Sequence, residues 1–233
     1  MPSCAGIIIG DEILSGKFAD ENGPELIRRA RSVGADLRRL VTVGDGVAEI
    51  ADEVRACANA FDVVVTSGGV GPTHDDVTMA GIAQAFGVPI VRDPMLVGLL
   101  ASYALTNDDA LRMADVPQGA VLHPSGPTSF PVVQVQNVWV LPGVPSLFQR
   151  KLVLVEPSLR GAPVFTRRLI TTRAETEIAS ALRTVQDAWP TVAIGSYPRF
   201  EEGDFHVIVT LESRDEGALD AAWAALSSLA SMG

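Results

Sequence analysis

Residues 62–83 read Asp-Val-Val-Val-Thr-Ser-Gly-Gly-Val-Gly-Pro-Thr-His-Asp-Asp-Val-Thr-Met-Ala-Gly-Ile-Ala and hold the chain's densest set of groups able to do chemistry. Gly68, Gly69 and Gly71, with Val70 between them, let backbone amides approach an anion with no side chain in the way. Thr66, Ser67 and Thr73 place hydroxyls around that turn. Asp75 and Asp76 follow, and two carboxylates would repel a bare phosphate. A divalent cation (Mg, Mn or Co) between carboxylate and phosphate resolves the conflict. The plainer alternative is that one or both aspartates cap the next helix.

The elements that must position these groups follow from apolar spacing. Val63–Thr66 is a short β-branched run that reads as a buried parallel strand, and a helix is expected over Asp76–Phe86. Strand, glycine turn and helix start together form the usual anion site of an open α/β sheet. The same succession recurs. Strand Asp36–Val43 leads into Gly44-Asp45-Gly46 and a helix over Val47–Phe61, so Asp45 is either a site residue or that helix's N-cap. Strand Val138–Leu141 leads into Pro142-Gly143-Val144-Pro145 and a helix from Ser146 to about Leu154. Strand Ser3–Ile9 leads into Gly10-Asp11-Glu12-Ile13-Leu14-Ser15-Gly16, which lacks both the dinucleotide glycine pattern and the P-loop lysine. Asp20-Glu21-Asn22 then precedes a helix over Gly23–Val33.

Strands at Val88–Val91, Ala120–Leu122 and Val132–Val135 and helices near Met95–Ala104 and Thr106–Ala114 complete the first part. The alternation predicts a three-layer α/β/α sandwich on a mostly parallel sheet, over residues 1–156. Glu156–Pro163 reads as a linker. Residues 163–233 read as a small α+β domain of order β-α-β-β-α. Its strands are expected at Val164–Thr172, Val192–Tyr197 and Phe205–Leu211, its helices at Thr176–Trp189 and Glu216–Ser231, with a loop over Pro198–Asp204.

The net charge of −10 argues against non-specific nucleic-acid binding, and the small domain has no Gly-x-x-Gly clamp or basic stripe. Cys4 and Cys57 have no disulfide or metal-ligand spacing and read as buried thiols of a reducing compartment. No basic region precedes the first apolar run, and the uncharged stretch Val116–Gln149 is broken by prolines, so a cytoplasmic protein without a membrane span is expected.

In their order, Gly10–Gly16, Asp20-Glu21-Asn22, Asp45, Thr66–Thr73 with Asp75-Asp76, and Leu141–Pro145 resemble the MoaB/Mog-like molybdopterin-binding domain family. The likeness is to the version at the front of CinA proteins and of eukaryotic FAD synthases. It spans residues 3–155, and the tail resembles the small domain that follows there. The resemblance implies a nucleotide or pterin ligand and a homo-oligomer. In the Mog branch it implies adenylylation of molybdopterin by two aspartates matching Asp45 and Asp76. The other two branches imply hydrolysis of ADP-ribose or of FAD, both by metal-assisted attack of water on a diphosphate bridge. Asp45 and Asp76 would hold the divalent ion, Asp11 or Asp75 would orient the water, and Gly68, Gly69 and Gly71 would face the phosphates. Gly10, Glu12, Ser15, Gly16, Asn22, Thr66, Ser67, Val70, Thr73, Pro142 and Gly143 complete the implied ligand contacts. Ser146-Leu147-Phe148 stands where CinA proteins tend to place an acid, and Ser129–Val135 replaces another CinA stretch. The latter arrangement looks more like the FAD synthase branch. A binding module without turnover is the remaining alternative.

Overall fold

The structure, a computed structural model, describes residues 1–126, 129–201 and 204–231. It divides into two compact units, Met1–Gly161 and Ala162–Gly233. In chain order the first unit runs β1 (Ser3–Ile9), α1 (Asp11–Leu14), α2 (Asn22–Ser32), β2 (Asp36–Val43), α3 (Val47–Ala60), β3 (Val63–Ser67) and α4 (Thr78–Phe86). It continues with β4 (Ile90–Arg92), α5 (Pro94–Ser102), α6 (Asp108–Leu111), a 3-10 turn (Arg112–Ala114), β5 (Asp115–Pro117), β6 (Val121–His123), β7 (Val132–Val135), β8 (Val138–Leu141) and α7 (Pro145–Leu159).

The main sheet has the order β2-β1-β3-β8-β7-β6. Its first four strands are mutually parallel, and β7 and β6 return antiparallel. Alternate residues along each strand serve opposite faces, because successive side chains point to opposite sides of a pleat. Ile7, Ile9, Val64, Val138 and Val140 share one core with Ile50 and Val54 of α3, Ile82 of α4 and Leu96 and Leu100 of α5. Cys4, Val63, Val65, Trp139 and Leu141 share the other with Leu26 and Ala30 of α2 and with Phe148, Leu152, Val155 and Leu159 of α7. The expected α/β/α sandwich is therefore present. All four parallel strands end at one edge, so the loops after β1, β2, β3 and β8 lie along it.

In the first unit three expectations are corrected. The helix expected from Asp76 begins at Thr78, because residues 73–76 are tied into their own turn. The expected linker from Glu156 is helical through Leu159, with Pro157 inside α7. Val155 and Leu159 are fully buried, and burying Leu159, worth about 1.5–3 kcal/mol, offsets much of a cost near 3 kcal/mol for an internal proline. The strand expected at Val88–Val91 lies at β4, which pairs with β5 in a separate two-stranded ladder outside the main sheet.

The second unit contains β9 (Phe165–Thr171), α8 (Glu175–Ala188), β10 (Ala193–Glu201), β11 (Asp204–Ser213) and α9 (Glu216–Ser231). Its antiparallel sheet has the order β10-β11-β9. Val207, Val209 and Leu211 pack with Ile178 and Val185 of α8 and Leu219, Ala222 and Leu226 of α9. β10 continues through Pro198, which was expected in a loop; as an edge strand it tolerates a residue without an N–H. Glu202 and Gly203, at the tip of that expected loop, lie outside the described residues. Among the described residues no helix is long and apolar enough to cross a membrane.

Candidate functional site

The glycine turn after β3 is shaped by close backbone approach. Gly68 has φ +107°, and a Cβ there would lie 2.1 Å from the Ile9 carbonyl oxygen. Gly69 has φ +62°, and a Cβ there would lie 2.3 Å from Thr78 Oγ1. That hydroxyl donates to the Gly68 carbonyl at 2.8 Å, and the Thr78 amide donates to the Gly69 carbonyl at 3.0 Å. The start of α4 thus holds the turn from one side and the end of β1 from the other.

Asp76 caps no helix. Its Oδ2 accepts from the Thr73 amide at 2.8 Å and the Thr73 hydroxyl at 2.5 Å, while Oδ1 takes no hydrogen bond from the described residues. Asp45 caps α3 no more than Asp76 caps α4, since Gly46 is the N-cap and no side chain serves it. Its Oδ2 instead accepts from the Asp11 amide at 2.9 Å, where Gly10, the N-cap of α1, has no side chain to offer. The Asp11 carboxylate packs against Gly44, and Glu12 folds its carboxylate back over Gly10. Asp20 serves α2, accepting from the Asn22 and Gly23 amides at 2.9 and 3.0 Å.

Asn22 ties two strand ends together. Its Nδ2 donates to Ser67 Oγ at 2.9 Å and to the Gly143 carbonyl at 2.7 Å, while Ser67 Oγ donates to the Pro142 carbonyl at 3.3 Å. Asn22 is buried and its Oδ1 has no hydrogen-bond partner among the described residues.

These loops open onto a cavity of about 620 Å³. Gly68, Gly69, Val70, Gly71, Pro142, Gly143, Glu12 and Asp76 form part of its wall. Met79, Met113, Phe130, Val133 and Leu147 supply apolar surface, and Arg112 and Lys151 supply positive charge. A smaller cavity of about 250 Å³ is lined by Glu12, Asn22, Ser67 and Gly143 together with Phe18 and Ile13. The structure therefore gathers ten of the expected ligand residues around two cavities that share Glu12 and Gly143. Gly10, Asp11, Ser15, Gly16, Asp45, Thr66, Thr73 and Asp75 line neither. Thr66 is buried within β3, and Asp75 is exposed with His74 Nδ1 3.8 Å from its carboxylate. Among the described residues no cluster of three or more His, Cys, Asp or Glu could hold a metal ion unaided.

Lys151 and Arg112 were not anticipated from the sequence. Lys151 is 7 % exposed and donates to the Phe130 carbonyl and to Ser125 Oγ at 3.3 Å. Burial, with Arg150 adding to it, pushes its pKa below the ordinary lysine value. One signal was available: the chain has two lysines, every other basic side chain of that class being arginine.

Comparison with known proteins agrees with this architecture. The family described as "Probable molybdopterin binding domain" matches residues 5–161, and "FAD synthase, middle domain" matches residues 163–232. A protein named "Probable FAD synthase" from Caenorhabditis briggsae is 30 % identical over 97 % of this chain and 49 % of its own length. A "CinA-like protein" from Myxococcus xanthus is 34 % identical over 93 % of this chain and 56 % of its own length. The chain thus spans about half the length of these relatives. The crystal structure of CinA from Thermoplasma acidophilum, described as of unknown function, superposes with a TM-score of 0.63 at 27 % identity, covering 68 % of this chain and 99 % of that one. With two thirds of its length matched, from within β1 to the last residue of the sandwich unit, the chain belongs to the molybdopterin-binding domain family.

Proposed function

We propose that the first unit is a metal-dependent hydrolase that splits the diphosphate bridge of FAD or ADP-ribose and releases AMP. The observation carrying this reading is one cavity lined by Gly68–Gly71 and by two acidic residues, Glu12 and Asp76. Backbone amides there suit phosphate oxygens, and preorganised donors stabilise charge that develops on a leaving phosphate. The donor set suits a hard divalent ion completed by the substrate rather than a closed protein cage. Magnesium-type ions are commonly held by one or two carboxylates plus substrate phosphates. Glu12 and Asp76, the latter through its unspent Oδ1, would hold the ion. When bound, such an ion neutralises the diphosphate and lowers the pKa of a coordinated water. Asp45 works one step removed, as a positioning residue that fixes the Asp11 amide and with it the segment bearing Glu12. The apolar wall takes the group beyond the diphosphate. The second unit's likeness to the middle domain of FAD synthases favours a flavin nucleotide. The two buried free thiols agree with a reducing, cytoplasmic setting.

The test is incubation with FAD or ADP-ribose and Mg²⁺, Mn²⁺ or Co²⁺, following AMP. AMP release is expected to fall at least about 100-fold in Asp76→Ala with its circular dichroism unchanged. An unaffected rate in that variant sinks the assignment. No AMP with any metal transfers the reading to adenylylation of molybdopterin, which would consume ATP only when molybdopterin is present.

A further inference from the structure

We propose that Lys151 selects the group at the far end of the ligand, donating to a carbonyl oxygen on the edge of a flat heterocycle of the flavin or pterin kind. This rests on the reading of the large cavity as a nucleotide diphosphate site.

An ammonium group has three N–H donors. Two are spent on the Phe130 carbonyl and Ser125 Oγ, both uncharged acceptors, and one is left. Among the described residues no carboxylate pairs with Lys151, although the residue is 7 % exposed and lines the cavity. A buried cation without a counter-charge is costly, so an acceptor supplied by the ligand gains more here than at the surface.

The position sets which part of the ligand is met. Val144, Leu147 and Lys151 recur at intervals of three and four along α7, and all three line the cavity. Val144 adjoins Gly143, which backs onto Gly68, and Lys151 lies two helical turns further, about 10 Å along the axis. That is the span of one arm of a dinucleotide, measured from the glycine turn. Met79, Met113, Phe130, Val133 and Leu147 line the same cavity, with Arg112 and Asp115 among its polar members. Such surfaces suit the faces of a ring, whereas the hydroxyls of a bare sugar would lose water there with few partners. A flat ring with apolar faces and one carbonyl edge satisfies both the wall and the remaining N–H.

The experiment is calorimetric binding, without metal, of AMP, FMN and a 6-substituted pterin to the wild-type chain and to Lys151→Met and Lys151→Gln. Lys151→Met is expected to weaken FMN or the pterin about 10- to 100-fold and to leave AMP within about twofold. Lys151→Gln, which keeps an N–H donor, recovers part of the loss. The ring ligand that shows the larger effect identifies the source. Equal losses for AMP and the ring ligands would mark Lys151 as structural and overturn the inference, as would unchanged ring binding or no ring binding by the wild type. If FMN binding depends on Lys151 but FAD is never cleaved, the hydrolase reading fails alone. If FAD is cleaved with no dependence of KM on Lys151, the inference fails alone.

Discussion

Gly68→Ala should destabilise the sandwich unit by an amount the geometry fixes. At φ +107° an L-residue is strained, at roughly 1–2 kcal/mol. The new methyl would also stand 2.1 Å from the Ile9 carbonyl oxygen, more than 1 Å inside ordinary contact by the usual carbon–oxygen spacing of about 3.3 Å. That oxygen cannot swing aside as a side chain would. Ile9 ends β1, whose neighbour Ile8 is in register with Ser67 of β3, so relief requires the two central strands to part at their ends. Overpacking of this kind adds about 1–3 kcal/mol, for a total near 2–5 kcal/mol. With a urea m-value on the order of 2 kcal/mol/M, the unfolding midpoint should fall by about 1–2.5 M. Gly98→Ala is the matched control. Gly98 is inside α5 with nothing within 4 Å of an added Cβ, so alanine there should stabilise by up to about 1 kcal/mol. Urea unfolding followed by circular dichroism reads both. If Gly68→Ala unfolds within about 0.5 kcal/mol of wild type, the resolution of such ΔΔG values, the close approach of turn to strand end is not what requires glycine there.

Two other outcomes follow from buried groups. Asn22→Asp, although isosteric, should be worse than Asn22→Ala: it sets a carboxylate against the Gly143 carbonyl, whereas alanine also removes the unpaired Oδ1. Alanine should cost about 1–3 kcal/mol and aspartate at least about 2 kcal/mol more, so equal denaturation midpoints would dismiss the tie between the two strand ends. Burial raises the thiols of Cys4 and Cys57 from 9.0 to about 12. Their protonated forms are favoured in the folded state, so this contribution to stability is complete below pH 9.0 and is lost as pH climbs toward about 12. At pH 8 neither thiol should react with Ellman's reagent until denaturant is added; rapid native labelling would contradict their burial.

What could be read in the sequence was what the backbone does locally. β1, β3 and β8 are runs whose apolar density marks a buried strand, β2 is an edge strand with exposed Arg38 and Arg39, and each of the four lies within a residue of its expected bounds. The glycine turn could be read because its consecutive glycines stay adjacent in any fold. What could not be read was assembled across the chain. Asp45 looks like a cap of its own helix by local rules, yet it serves Asp11, 34 positions earlier, because the parallel arrangement brings the ends of β1 and β2 to one edge. Asp76 looks like a cap of α4, but Thr73 claims its carboxylate first. Lys151 has a sequence environment that suggests a solvated helix face; only the passage of residues 125 and 130 beside α7 encloses it. The glycine turn is thus encoded in adjacent residues, while the part of the cavity proposed to choose among ligands is encoded in contacts between distant ones. A chain can therefore display its family in its turns and keep its substrate in its packing, so side chains such as Lys151, rather than the glycine loop, are where substitutions should separate one ligand from another.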